Sequence, residues 1–238
     1  LAAKFLVILV VTFQSCGKVG KGETLQAYLT DETISSEWLI ACAAGNKDGF
    51  GSENDEQLSV FFYPVAGAYD FKYFATNRLN DSPTDFEGYR EYEGATTEDV
   101  FNGYLKKFDF DSRNEHWGIV TYRVGDSLRI SDPIKILHKE KPTDSDMSSL
   151  SITENGIHPT FSWEEGEYSD NVIYFQVIAD ENGNLISGTY TIEKNFQFYD
   201  TTNVVINIKP EPIPILVQNK NYSFTLMGVS EDNWVNMS

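Results

Sequence analysis

Val172 to Glu193 reads VIYFQVIADENGNLISGTYTIE, and this stretch decides the fold class. Two runs rich in β-branched and aromatic residues flank Asp180-Glu181-Asn182-Gly183-Asn184. Strand formers on both sides of an Asn-Gly step predict a β-hairpin, because Asn and Gly accept the positive φ that a tight hairpin turn demands. Outward from there, Tyr222, Phe224 and Leu226 alternate with Ser223 and Thr225. That pattern predicts a strand with one buried and one wet face. Phe161-Ser162-Trp163, Phe196 to Tyr199 and Asn203 to Ile208 supply further short strands.

The same patterning fills the preceding part of the chain. Strands are predicted at Trp38 to Cys42, Leu58 to Tyr63, Tyr69 to Thr76, Phe101 to Phe108, Trp117 to Val124 and Leu128 to Ile136. Turn-rich stretches, Asn46–Glu56 and Asn80–Gly88, separate them. No segment sustains a long apolar stripe of helical period, so the class is all-β. This density of short strands predicts β-sandwiches. A boundary is expected at His138–Asp146, where apolar residues vanish and charge, Pro and Ser collect. One β-sandwich is therefore expected over 28–138 and a second over 139–238.

Trp163 on an early strand, and Leu216 six residues before Tyr222, resemble fibronectin type III domains. The resemblance implies an Ig-like sandwich with a tyrosine corner, the Tyr222 hydroxyl bonding to backbone near Leu216. Little chain follows Val229, so the second sandwich is expected to lack its last strand or to keep an open edge. SEWLIACAAGN, FFYPVAGAYDFKYF, FNGYLKKFDF, HWGIVTY, ISDPIKI and NVIYFQV with LISGTYT resemble uncharacterised Bacteroidota (flavobacterial) lipoproteins with tandem Ig-like domains. That resemblance implies architecture and an envelope address, and brings no activity with it.

The N-terminus supports such an address. Lys4 precedes an apolar run from Phe5 to Phe13, too short for the ~20 residues of a transmembrane helix and suited to an export signal. Phe13-Gln14-Ser15-Cys16 resembles a lipobox, so residues 1–15 are read as a lipoprotein signal peptide and Cys16 as the lipidated residue. Residues 16–27, beginning GKVGKGET after the cysteine, are expected to form a polar tether. GKVGKG lacks the spacing of a phosphate loop. The anchor implied is the outer membrane, with the leaflet faced left open.

The chain has 238 residues and a net charge of −18, which repels nucleic acid and anionic lipid. Chemistry-bearing motifs are sparse. His116, His138 and His158 are scattered, without metal-ligand spacing, and His138 and His158, which flank loops, are expected at the surface. Cys42 alternates with Trp38 and Ile40 and is expected to be a buried, inert thiol without a disulfide partner. Asp48, Glu53, Asp55 and Glu56, like Asp109 and Asp111, miss the EF-hand pattern and are read as solvated charge. No metal and no cofactor is expected. Trp38, Trp117 and Trp163 are assigned to the core. Tyr89 and Tyr92 in EGYREYEG, and Trp234 near the end, are the aromatics expected to be exposed and to bind ligand. The function expected is that of a non-enzymatic, membrane-anchored binding or assembly module with a protein or glycan partner. The alternative is a glycan-binding accessory lipoprotein of a polysaccharide-uptake system.

Overall fold

The computed structural model describes residues 18–45, 56–144, 148–210, 212 and 214–237. The signal peptide and Cys16 lie outside the described residues, as do Asp48, Glu53 and Asp55. In chain order the elements begin with β1 (Lys18–Thr24), α1 (Leu25–Leu29), β2 (Thr33–Ile34), β3 (Ala41–Gly45), β4 (Gln57–Phe62), β5 (Ala68–Ala75) and β6 (Arg90–Glu93). Next come β7 (Thr96–Val100), β8 (Leu105–Asp111), β9 (Trp117–Val124), β10 (Ser127–Ile130), β11 (Ile134–Lys135), β12 (Ser151–Thr153) and β13 (Thr160–Ser162). The last are β14 (Asn171–Asp180), β15 (Leu185–Thr191), β16 (Asn195–Gln197), β17 (Val204–Asn207), β18 (Tyr222–Ser230) and β19 (Val235–Met237).

The protein is all-β, as the alternation predicts. Among the described residues the strands form four sheets, ordered β1-β6-β5-β9-β10-β2 with β11 on β9, β3-β4-β8-β7, β17-β15-β14-β18-β19, and β12-β13-β16. The predicted hairpin is β14–β15, antiparallel from Tyr174↔Thr191 to Ala179↔Leu185. Gly183 takes φ 78° at its turn, and the Asp180 carboxylate accepts from the backbone N–H groups of Asn182 and Asn184.

Side-chain alternation stacks these sheets through three cores. On β4, Leu58, Val60 and Phe62 enter the first core, against the largest sheet, while Phe61 enters the second. On β14, Phe175 and Val177 enter that second core from the other side, and Tyr174 and Ile178 enter the third, with Phe161, Trp163 and Phe196. The β3-β4-β8-β7 sheet is thus apolar on both faces, which is why LSVFF in β4 is a nearly continuous apolar run. The second core draws Ala44, Phe61 and Leu105 from one side of the expected boundary and Phe175, Tyr190 and Met227 from the other.

Several expectations are corrected. Residues 18–24 are a strand paired with β6, and Leu25 is fully buried, so the expected tether over 16–27 is largely part of the fold. Within the expected boundary, Thr143 is buried: its hydroxyl donates to the Val235 carbonyl at 2.6 Å and accepts from the Gly45 N–H at 3.1 Å. The edge expected to be open, or to lack its strand, carries β19, which pairs with β18. Leu128 to Ile136 splits into β10 and β11 around Ser131-Asp132-Pro133, because Pro133 cannot donate to a ladder. The predicted corner forms: the Val217 N–H donates to the Tyr222 hydroxyl at 2.9 Å, and Leu216 packs with Tyr222 on the third core.

Candidate functional site

The three aromatics expected to be exposed are buried. Tyr89 is sealed among Leu25, Phe74 and Ile119, and its hydroxyl donates to the Pro83 carbonyl at 2.9 Å. Tyr92 packs in a tilted arrangement close to Phe110, ring centroids 4.5 Å apart, and donates to the Asp111 carbonyl. Trp234 lies in the first core, with its indole N–H donating to the Lys141 carbonyl at 2.7 Å. In each case a backbone carbonyl accepts the polar tip, so burial carries no unsatisfied donor. None of the three offers a ligand platform in this arrangement.

The exposed indole is instead Trp38, expected in the core and 85% exposed. β3 begins only at Ala41, and Leu39, which bridges to Ser131, turns inward in its place. The strand predicted over Trp38 to Cys42 therefore holds only from Ala41: Cys42 and, just before the strand, Ile40 pack against the second core, while Trp38 stands outside the ladder. The result is a pocket of about 170 Å³ between the β3 sheet and the five-stranded sheet. Its walls are Leu39, Ile40, Ala41, Ile173, Ile206 and Val229, with Cys42 and Tyr190 deeper and Trp38, Asp132 and Asn233 completing the lining. Ile40, Ala41, Cys42 and Tyr190 also line a narrower void that continues inward to Phe61 and Phe175.

Burial pushes the Cys42 thiol up to about 12, which leaves it protonated and a poor nucleophile at neutral pH. Burial, with the neighbouring Cys42 second, raises the Tyr190 hydroxyl well above its ordinary value, so it is a neutral hydrogen-bonding group. Asn233 is fixed by its backbone: its carbonyl accepts from the Ala43 N–H, and its side chain donates to the Pro133 carbonyl.

His138, expected at the surface, is buried, as is His116. The His116 Nδ1 faces the Asn114 carbonyl at 2.8 Å, which can only accept, so Nδ1 carries the proton and Nε2 accepts from the Tyr73 hydroxyl at 2.9 Å. Burial first, and the neighbouring His138 second, hold His116 down at about 4. Burial likewise lowers His138. Gly118 makes room for this pair, since a Cβ there would lie 2.1 Å from the Tyr73 hydroxyl. Both histidines are structural parts of the first core's end.

A second, open depression of about 610 Å³ is lined by Lys21, Asp81, Asp85, Glu87 and Arg90. Its charges serve the local fold: Asp81 accepts from Arg78, Asp85 caps the Glu87 N–H, and Arg90 donates to the carbonyls of Glu87 and Tyr89. Asp109 is held by Ser59 and Lys107 within the β-ladder. Among the described residues, no three His, Cys, Asp or Glu side chains converge as a metal site would require. No described helix is long and apolar enough to cross a membrane. No protein-family model matches the chain, and no curated protein does either. The Trp38 pocket, joining an exposed aromatic to an apolar recess with a few polar groups, is the best candidate site.

Proposed function

We propose that the protein is a non-enzymatic lipoprotein of the bacterial outer membrane, anchored by lipid on Cys16, that acts as a binding or assembly module and engages its partner through the Trp38 mouth. The observation that carries this reading is the 85% exposed indole over an apolar pocket. An exposed Trp beside a recess is held in reserve for a contact: covering it removes up to ~200 Å² from water, worth about 4–5 kcal/mol before the costs of association. The chain's reactive groups favour binding over turnover, because the Cys42 thiol is held protonated and His116 has both ring nitrogens engaged.

The anchor fits the fold. β1 starts at Lys18, two residues beyond Cys16, so lipid on Cys16 holds the sheet edge within roughly 7 Å of the bilayer surface rather than on a long leash. Acyl chains at ~0.8 kcal/mol per buried CH₂ are needed against a chain whose net charge is −18 over its full length. Mass spectrometry of the membrane fraction tests the anchor. An unmodified mature N-terminus, or a Cys16→Ala protein that still pellets with membranes, overturns it. Capture from the native envelope tests the module: Trp38→Ala is expected to lose the partner with the fold intact. Turnover of a glycan, peptide or ester by the purified chain overturns the non-enzymatic reading.

Trp38 also favours a second reading, a glycan-binding accessory lipoprotein of a polysaccharide-uptake system. An exposed indole face stacks on a pyranose ring, and the Asp132 carboxylate beside it accepts from sugar hydroxyls. Saturable binding of a neutral oligosaccharide, lost in Trp38→Ala, selects this reading.

A further inference from the structure

The inside of the Trp38 pocket specifies more than its mouth. Its volume of about 170 Å³ matches that of an apolar cavity able to hold one benzene ring, ~150 Å³. Aliphatic walls suit a flat ring and reject a charge. At depth lies Tyr190, 7% exposed and stacked on Phe175 with centroids 4.4 Å apart. Its hydroxyl has no hydrogen-bond partner among the described residues, although every other buried tyrosine among them has one. A hydroxyl left open in an otherwise apolar recess selects an occupant that ends in a neutral hydrogen-bonding group.

The mouth adds a sign. Asp132 is exposed, and its carboxylate makes no ion pair or hydrogen bond among the described residues. Nearby cations are committed elsewhere: Arg129 pairs with Glu37, and Lys135 with Asp232 at 3.5 Å. A free carboxylate beside an exposed indole attracts a cation by Coulomb and cation–π interaction, and the net charge of −18 adds to the pull.

We propose that this pocket takes a tyrosine side chain from an exposed, basic segment of a protein partner. The phenol ring fills the recess, its hydroxyl bonds to Tyr190, and a flanking Lys or Arg meets Asp132 and the Trp38 face. The occupant is a side chain and not a free small molecule, because the recess holds only one ring while the recognition groups Trp38 and Asp132 lie at the mouth, where flanking residues would sit. This assignment rests on the reading of the Trp38 mouth as a binding surface.

The test titrates the purified full chain with capped peptides Lys-Gly-Tyr-Gly-Lys, Lys-Gly-Phe-Gly-Lys and Glu-Gly-Tyr-Gly-Glu, and with phenol alone, following indole emission. Trp38→Phe identifies the Trp38 part of the signal. The basic Tyr peptide is expected to bind about 5-fold tighter than its Phe counterpart, the yield of one net hydrogen bond, and at least 10-fold tighter than the acidic peptide. Tyr190→Phe should erase the Tyr-over-Phe preference by weakening the Tyr peptide and not the Phe peptide, whose ring then no longer covers a hydroxyl it cannot pair, a readout that a merely unfolded variant cannot give. Equal affinities for the Tyr and Phe peptides, equal affinities for the basic and acidic ones, or phenol binding as tightly as the basic peptide each overturn the proposal. Trp38-dependent capture from the envelope without any peptide binding overturns this occupant and leaves the module reading standing.

Discussion

Replacing His116 by Gln should flatten the acid limb of the protein's stability curve. His116 is 1% exposed, and burial holds it at about 4, against an ordinary value of 6.5. A histidine depressed in the native state favours folding while neutral. As the pH falls through 6.5 the unfolded chain takes up a proton that the native chain refuses, so stability drops until about pH 4, where both forms are protonated. At about pH 5 this single group removes about 2 kcal/mol relative to about pH 8, a large fraction of ordinary domain stability. Gln keeps a donor for the Asn114 carbonyl and an acceptor for the Tyr73 hydroxyl, yet cannot titrate. Urea melts of wild type and His116→Gln at the two pH values check it. The variant loses some stability at both, but its difference between them should be smaller by about 2 kcal/mol. An identical pH dependence in the two proteins would refute the burial argument for His116.

Four further outcomes follow from the packing. Tyr222→Phe removes the acceptor of the Val217 N–H near the surface, so denaturant melts should show a loss of about 0.5–1 kcal/mol. Trp234→Ala empties a fully buried indole site and orphans the Lys141 carbonyl, costing about 3–5 kcal/mol in the same assay. Trp38→Ala should change the midpoint by less than about 0.5 kcal/mol, because an exposed side chain loses little packing. Cys42 should resist thiol reagents at neutral pH and react fully once the chain is unfolded, as absorbance of the released chromophore would show.

Runs of β-branched and aromatic residues located most of the long strands, β9, β14 and β18 being covered on both faces over much of their length: β5, β9, β14 and β18 lie at Tyr69 to Thr76, Trp117 to Val124, Val172 to Ala179 and Tyr222 to Val229. β7, Thr96–Val100, was not legible. It is an exposed edge strand whose acids Glu98 and Asp99 pair with Lys107 and Lys106, and charge on an edge resembles a loop in sequence. Sheet stacking was illegible for a different reason. Alternation says that a face is covered, and not by which sheet, so the sharing of the second core by Phe61 and Phe175 needed coordinates. The burial of Tyr92 does have a sequence signal: it stands between Glu91 and Glu93 in a two-residue period that points it inward.

The candidate site was half legible. The alternation of Ile40 and Cys42 pointed to a covered face, but the strand starts only at Ala41, and how far that face is covered depends on Ile173, Ile206 and Val229 from more than 130 residues away. Trp234 was expected to be exposed from its place near the end of the sequence. The chain instead turns at Asn233, with φ 59°, and drives the indole into the first core.

The central claim is that partners dock at Trp38, and site-specific photo-crosslinking in native envelopes tests it most directly. A benzophenone amino acid in place of Trp38 is compared with the same group in place of Ile152, an equally apolar exposed residue on the distant edge strand β12. The account predicts a discrete adduct from position 38 and none from position 152. Adducts from position 152 alone, or the same adducts from both, would contradict it.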